Sequence, residues 1–181
     1  MIAGAVLGST ELMGRVKVLR TFLGNMASPH TGWLLMRSLE TLKIRMEKQA
    51  ENAAVVAEQL KNHPKIDRVN YLGLLTEANG EEYEIFKRND YKSGGAMLSL
   101  ELKGGEKEAF KMLNSLKLIK LAVSLGSTES LAQHLAFMTH EGIDPEEKVM
   151  LGIKDSVVRI SIGVENAKDI VWDVEQALEQ V

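Results

Sequence analysis

The chain has 181 residues, 45% hydrophobic and 26% charged, a little more than the roughly 150 of a typical single domain and an ordinary globular balance that excludes long disorder or a fibrous repeat. Lys and Arg number 22 against 25 Asp and Glu, a formal charge of −3, so no cationic excess marks nucleic acid or an anionic membrane as a partner. The absence of cysteine removes disulfides, thiolate metal sites and cysteine nucleophiles; no apolar run reaches the roughly 18–20 residues of a membrane span, and without a basic leader a cytoplasmic location is expected.

Met1–Leu7 is apolar without alternation and ends at Gly8-Ser9, the pattern of a short strand buried on both faces. Such a strand needs neighbours, so either residues upstream of it or another chain would have to supply them. Thr10 is a cap for a helix through Leu12, Val16, Leu19 and Leu23 that stops at Gly24-Asn25. Ser28-Pro29 opens the next helix, since proline at the first helical position lacks only a donor that would be orphaned there. From Met36 to Leu60 apolar residues keep three/four spacing with no breaker before Pro64. The pattern predicts one helix of about thirty residues, roughly 45 Å long, bridging two bodies. The boundary is placed inside it, with residues 1–45 as the end of one domain and 46–181 as a second.

Beyond Pro64 the elements shorten. Strands are expected at Ile66–Tyr71, at Ala96–Leu102 with clean alternation, at Leu118–Val123, and at Val158–Val164 with Arg159 and Ser161 on the face opposite the aliphatic row. Helical patterns run through Tyr83–Lys87, Glu106–Leu116, a short segment started by Asp144-Pro145 and stopped by Gly152, and a last helix capped by Asn166. Strands interleaved with helices on one face describe an α+β domain.

No metal pattern links His30, His63, His134 and His140, and no nucleophile elbow, Walker or dinucleotide glycine motif is present. Arg159 is the unusual residue. A guanidinium in mid-strand must be solvated, paired internally or offered to a ligand, and its planar fork suits a carboxylate. The Ser124-Leu125-Gly126 turn could place a hydroxyl and backbone donors beside it. On pattern alone a structural ion pair and a ligand site both stay open.

Three segments resemble the C-terminal half of the Cys/Met-metabolism family of pyridoxal-phosphate enzymes, which includes cystathionine γ-synthase, cystathionine γ-lyase, methionine γ-lyase and O-acetylhomoserine sulfhydrylase. They are Ser28-Pro29-His30-Thr31-Gly32-Trp33 through Leu42, Ser124-Leu125-Gly126-Ser127-Thr128-Glu129 through His140, and Val158-Arg159-Ile160-Ser161-Ile162-Gly163-Val164-Glu165. The glycine-led strand Gly94–Leu102 is similar as well. The resemblance implies the C-terminal substrate domain of a fold-type I enzyme, preceded by a long bridging helix and one strand of the large domain. It implies an amino-acid substrate whose α-carboxylate is held by Arg159, with Ser124, Leu125 and Gln133 close by, and a γ-elimination or γ-replacement in sulfur amino-acid metabolism. It implies homotetramers for the complete enzyme, and pyridoxal phosphate as cofactor. The family's Schiff-base lysine matches a position upstream of Met1, so no catalytic or cofactor-binding residue is expected within these residues and the chain alone should be inactive. A catalytically silent amino-acid-binding or interaction module, or a truncated gene product, is the competing reading. Leu135, Phe137 and Ser127 depart from residues common in the family at those positions.

Overall fold

In the computed structural model, which describes residues 3–89 and 92–181, the first regular element is α1 (Thr10–Leu23). Its cap is Ser9 rather than Thr10: the Ser9 hydroxyl accepts from the Leu12 N–H at 3.4 Å. Gly24 ends it at φ 71°, a left-handed conformation in which its own N–H reaches the Arg20 carbonyl. Met1 and Ile2 of the expected opening strand lie outside the described residues, and Ala3–Ser9 carry no strand. A strand persists where a neighbour completes its ladder, and none of the described strands pairs with this segment.

Pro29–Leu39 form α2, with Ser28 accepting from the Thr31 N–H. The single long helix is corrected here: the chain turns at Glu40-Thr41 and restarts as α3 (Leu42–Leu60). The Ser38 hydroxyl donates back to the Leu34 carbonyl at 2.8 Å just before the break, a local bond that competes with the helical ladder and bends helices. Apolar spacing continues through the turn, which is why periodicity alone misses it. The chain divides into two compact units, Met1–Lys43 and Ile44–Val181. In the first, neither helix buries a residue.

The second unit carries β1 (Ile66–Asn70), α4 (Glu81–Arg88), β2 (Met97–Leu102), α5 (Glu106–Ser115), β3 (Lys120–Leu121), β4 (Leu131–His134), α6 (Pro145–Met150), β5 (Val157–Ser161) and α7 (Ala167–Leu178). The five strands form one mixed sheet in the order β1-β2-β5-β4-β3, antiparallel except for the parallel pair β3 and β4. The core lies on one face, where Leu98, Leu100, Val158, Ile160 and Ile162 meet Val56 and Leu60 of α3, Met112 of α5 and Ile170 and Val174 of α7, all essentially without solvent contact.

Two strands differ from expectation. The strand at Leu118–Val123 shrinks to Lys120–Leu121 because the wholly buried Asp173 of α7 takes the N–H groups of Lys117, Leu118 and Ile119 at 2.8–2.9 Å, so those donors are lost to any ladder. β4, which the alternation pattern does not announce, breaks no alternation rule because it has none: all four of its residues are buried, two of them polar. His134 turns to the core side, stacked 4.6 Å from Phe110, with one ring nitrogen at the Asp155 carbonyl and the other accepting from the Phe137 N–H.

Candidate functional site

The strand pleat that sends Val158, Ile160 and Ile162 inward puts Arg159 and Ser161 on the opposite face. Register fixes their neighbours. Ser99 of β2 and Gln133 of β4 stand directly across from Arg159, so one row runs Ser99, Arg159, Gln133. Asn70 of β1 extends it, its amide donating to the Ser99 hydroxyl at 3.4 Å. A polar row across a sheet whose other face is aliphatic makes this the candidate functional side.

Arg159 is half-buried, and that desolvation draws its pKa below the ordinary arginine value. One terminal nitrogen donates to the Ser124 carbonyl at 3.1 Å. Among the described residues no carboxylate pairs with it. Among the described residues, four of its five N–H donors have no partner.

The residues expected at the site split into those the structure assembles and those it leaves at the rim. Gln133 is wholly buried beside Arg159; its amide nitrogen donates to the Thr139 hydroxyl at 3.1 Å, and its Oε1 has no partner among the described residues. Ser124 is brought to Arg159 through its backbone carbonyl. Leu125 follows at the rim, 57% exposed. Ser161 was not singled out by the sequence. Its hydroxyl accepts from the Gly126 N–H at 2.9 Å, so positions 159 and 161 of one strand face pin positions 124 and 126 of the turn. Their matching two-residue spacing is the signal that could have found it. Gly126 itself sits at φ 75°, the left-handed bend that turns its N–H toward the sheet.

Comparison with known proteins follows the same segments. Residues 1–179 match the family described as Cys/Met metabolism PLP-dependent enzyme. An L-methionine gamma-lyase of Fusobacterium nucleatum subsp. polymorphum is 44% identical over 100% of this chain and 45% of its own length. A cystathionine gamma-lyase of Sus scrofa is 40% identical over 96% of this chain and 42% of its own. Among solved structures, a Campylobacter jejuni protein assigned as an O-acetylhomoserine (thiol)-lyase, holding N'-pyridoxyl-lysine-5'-monophosphate, superposes with a TM-score of 0.86 at 36% identity, covering 96% of this chain and 41% of that one. A cystathionine gamma-lyase of Micromonospora echinospora gives 0.85 at 31% identity. The chain spans less than half the length of these relatives.

Proposed function

Because the chain belongs to the Cys/Met metabolism family of pyridoxal-phosphate-dependent enzymes, we propose that it supplies the substrate-carboxylate side of a trans-sulfuration-type active site, one that eliminates or replaces the γ-substituent of a sulfur amino acid or an activated homoserine. The observation that carries this reading is Arg159, a half-buried fork with one nitrogen on the Ser124 carbonyl and no carboxylate partner among the described residues. A planar guanidinium binds a carboxylate through two parallel N–H···O bonds. The Ser124 carbonyl and the turn that follows it lie beside that guanidinium, and Gln133 stands directly across from it in the neighbouring strand. The role is orientation: fixing the carboxylate fixes the direction of the Cα–H bond.

Pyridoxal phosphate supplies the electron sink when bound. The residues on this face do not fit its attachment. A Schiff-base lysine needs a desolvated setting, whereas Lys120, which shares the face, is exposed on the edge strand. Lys65 caps the end of α7 through the Leu178 carbonyl, Lys148 binds the Ala136 carbonyl and Lys154 pairs with Glu101. We therefore propose that the cofactor's lysine lies outside these residues and that the chain by itself is inactive. Exposed apolar side chains of the first unit, among them Leu19, Phe22, Leu23 and Met36, support an assembly of several copies in the complete enzyme.

Incubating the 181-residue chain with pyridoxal phosphate and then borohydride is expected to give only scattered, substoichiometric labelling of exposed lysines and no specific internal-aldimine band; stoichiometric trapping on one lysine would show a self-contained cofactor site and overturn this division. In the full-length protein, Arg159→Ala is expected to lower kcat/KM for the amino acid about 30- to 5,000-fold, corresponding to about 2–5 kcal/mol for an unpaired buried charge, with the cofactor retained. Unchanged kinetics would discard the carboxylate role.

A further inference from the structure

On the edge of α3 that meets the loops, two amides sit one turn apart and fully buried, Gln49 and Asn52. The Gln49 Nε2 donates to the Ser127 carbonyl at 2.5 Å. The Asn52 Nδ2 donates to two carbonyls, Gly163 at 3.1 Å and Glu165 at 2.7 Å. Each amide leaves its own oxygen without a partner among the described residues. A buried unsatisfied acceptor is destabilising, and an apolar side chain of the same shape would avoid it. The bonds that are made all go to two stretches, 124–130 and 161–165.

Those two stretches are stapled to each other. Besides the Arg159 and Ser161 bonds to the turn, the Val164 N–H donates to the Thr128 carbonyl and the Gly163 N–H to the Ser130 hydroxyl, both at 2.9 Å. The Glu165 carboxylate accepts from the Ser130 N–H and hydroxyl. A Cβ at Gly163 would lie 2.5 Å from the Thr128 carbonyl oxygen, so the two backbones touch. Gln49 and Asn52 therefore hold one unit from beneath: Gln49 grips the end of the substrate-side turn and Asn52 the turn that follows β5.

We propose that Gln49 and Asn52 are positioning residues that set the distance between the Ser124–Ser127 turn and the Arg159 guanidinium, and so determine how strongly the site prefers a carboxylate over a neutral group. The proposal rests on the carboxylate reading of Arg159. Neither amide touches the ligand; both act through the backbone they fix. Losing the Gln49 bond frees the Ser127 carbonyl, the turn relaxes, and the Ser124 carbonyl shifts against the guanidinium that would otherwise present its free edge to the ligand.

The test uses the pyridoxal-phosphate-loaded full-length protein and two competitive inhibitors without a Cγ, glycine and glycinamide, whose inhibition constants give a carboxylate-over-amide ratio. Gln49→Met keeps the volume and removes the donor; it is expected to lower the ratio about three- to tenfold, the scale of one hydrogen bond. Gln49→Asn, which keeps an amide but shortens its reach, serves where Gln49→Met does not fold, with the same expectation. A structural role alone would lower the melting temperature and leave the ratio unchanged, and that result overturns the proposal. Arg159→Ala in parallel reports on the underlying reading. If it collapses the ratio while the Gln49 variants leave it intact, the positioning role fails and the carboxylate site stands; if it leaves the ratio intact, both fail.

Discussion

The two faces of β5 are built from alternate residues of one five-residue strand, and they do opposite things. Val158 and Ile160 are shut away against three helices and hold the unit together. Arg159 and Ser161 present polar groups on the other face, where each makes a hydrogen bond to the Ser124–Gly126 turn. The contrast teaches that core packing and the proposed ligand preference can be separated at a spacing of one residue, because the pleat sends neighbours to different environments.

The sharpest way to break that separation is at the inner face. Ile160→Ala in the full-length protein is expected to remove about 2–5 kcal/mol of stability by denaturant unfolding, while the glycine-over-glycinamide ratio stays as in the wild type. A changed ratio would mean that the faces are coupled through the strand itself. Gly163→Ala comes next: its Cβ would meet the Thr128 oxygen at 2.5 Å and the Glu129 carbonyl carbon at 2.7 Å. Because the obstacle is backbone, the variant should lose about 1–3 kcal/mol, together with part of the carboxylate preference, since the stapled segments are forced apart. Ser161→Ala should barely move the unfolding midpoint and weaken glycine binding about two- to tenfold, the loss of one hydrogen bond. Equal binding by inhibition assay would show that Gly126 is held without it.

The smallest expected effect lies off both faces. The Glu108 carboxyl is drawn below its ordinary value of 4.5, first by the Gly105 N–H it accepts at 2.8 Å and then by its own backbone N–H. With the folded pKa depressed, its contribution to stability is present above the unfolded value and disappears as pH falls through the folded one. Glu108→Gln should therefore flatten the acid limb of the stability profile below about pH 4.5 and leave neutral pH almost unaltered, as read by unfolding across the acid range.

Much of this architecture is written locally. Pro29 with Ser28, Gly24, the alternation of β2 and the exposed parity of Arg159 each signal their element within a few residues, and the structure keeps them. What local pattern cannot carry is a bond across the chain. The turn at Glu40-Thr41 hides because Ser38 breaks the ladder without breaking the apolar spacing. The strand at Leu118–Val123 is cut short by a carboxylate some fifty-five residues away. β4 carries a histidine on its core side, acceptable there only because Phe110 and two backbone groups receive it. At the site, the pattern singled out Arg159 but left its role open, and resemblance pointed to Gln133 beside it. Gln49 and Asn52 gave no signal, their contacts spanning 78 and 111 residues.

Strand direction has a last consequence. β3 and β4 run parallel, so the chain leaving Leu121 must travel back along the sheet before it can enter Leu131 in the same sense, and residues 122–130 make that return journey without a helix to carry them. A hairpin would have reversed at the sheet's rim and left Arg159 open to water. The obligatory detour instead lays Ser124 and Gly126 over the face where Arg159 and Ser161 wait. The wall of the proposed binding site is thus a by-product of connectivity: a chain that must double back can be made to roof whatever it crosses.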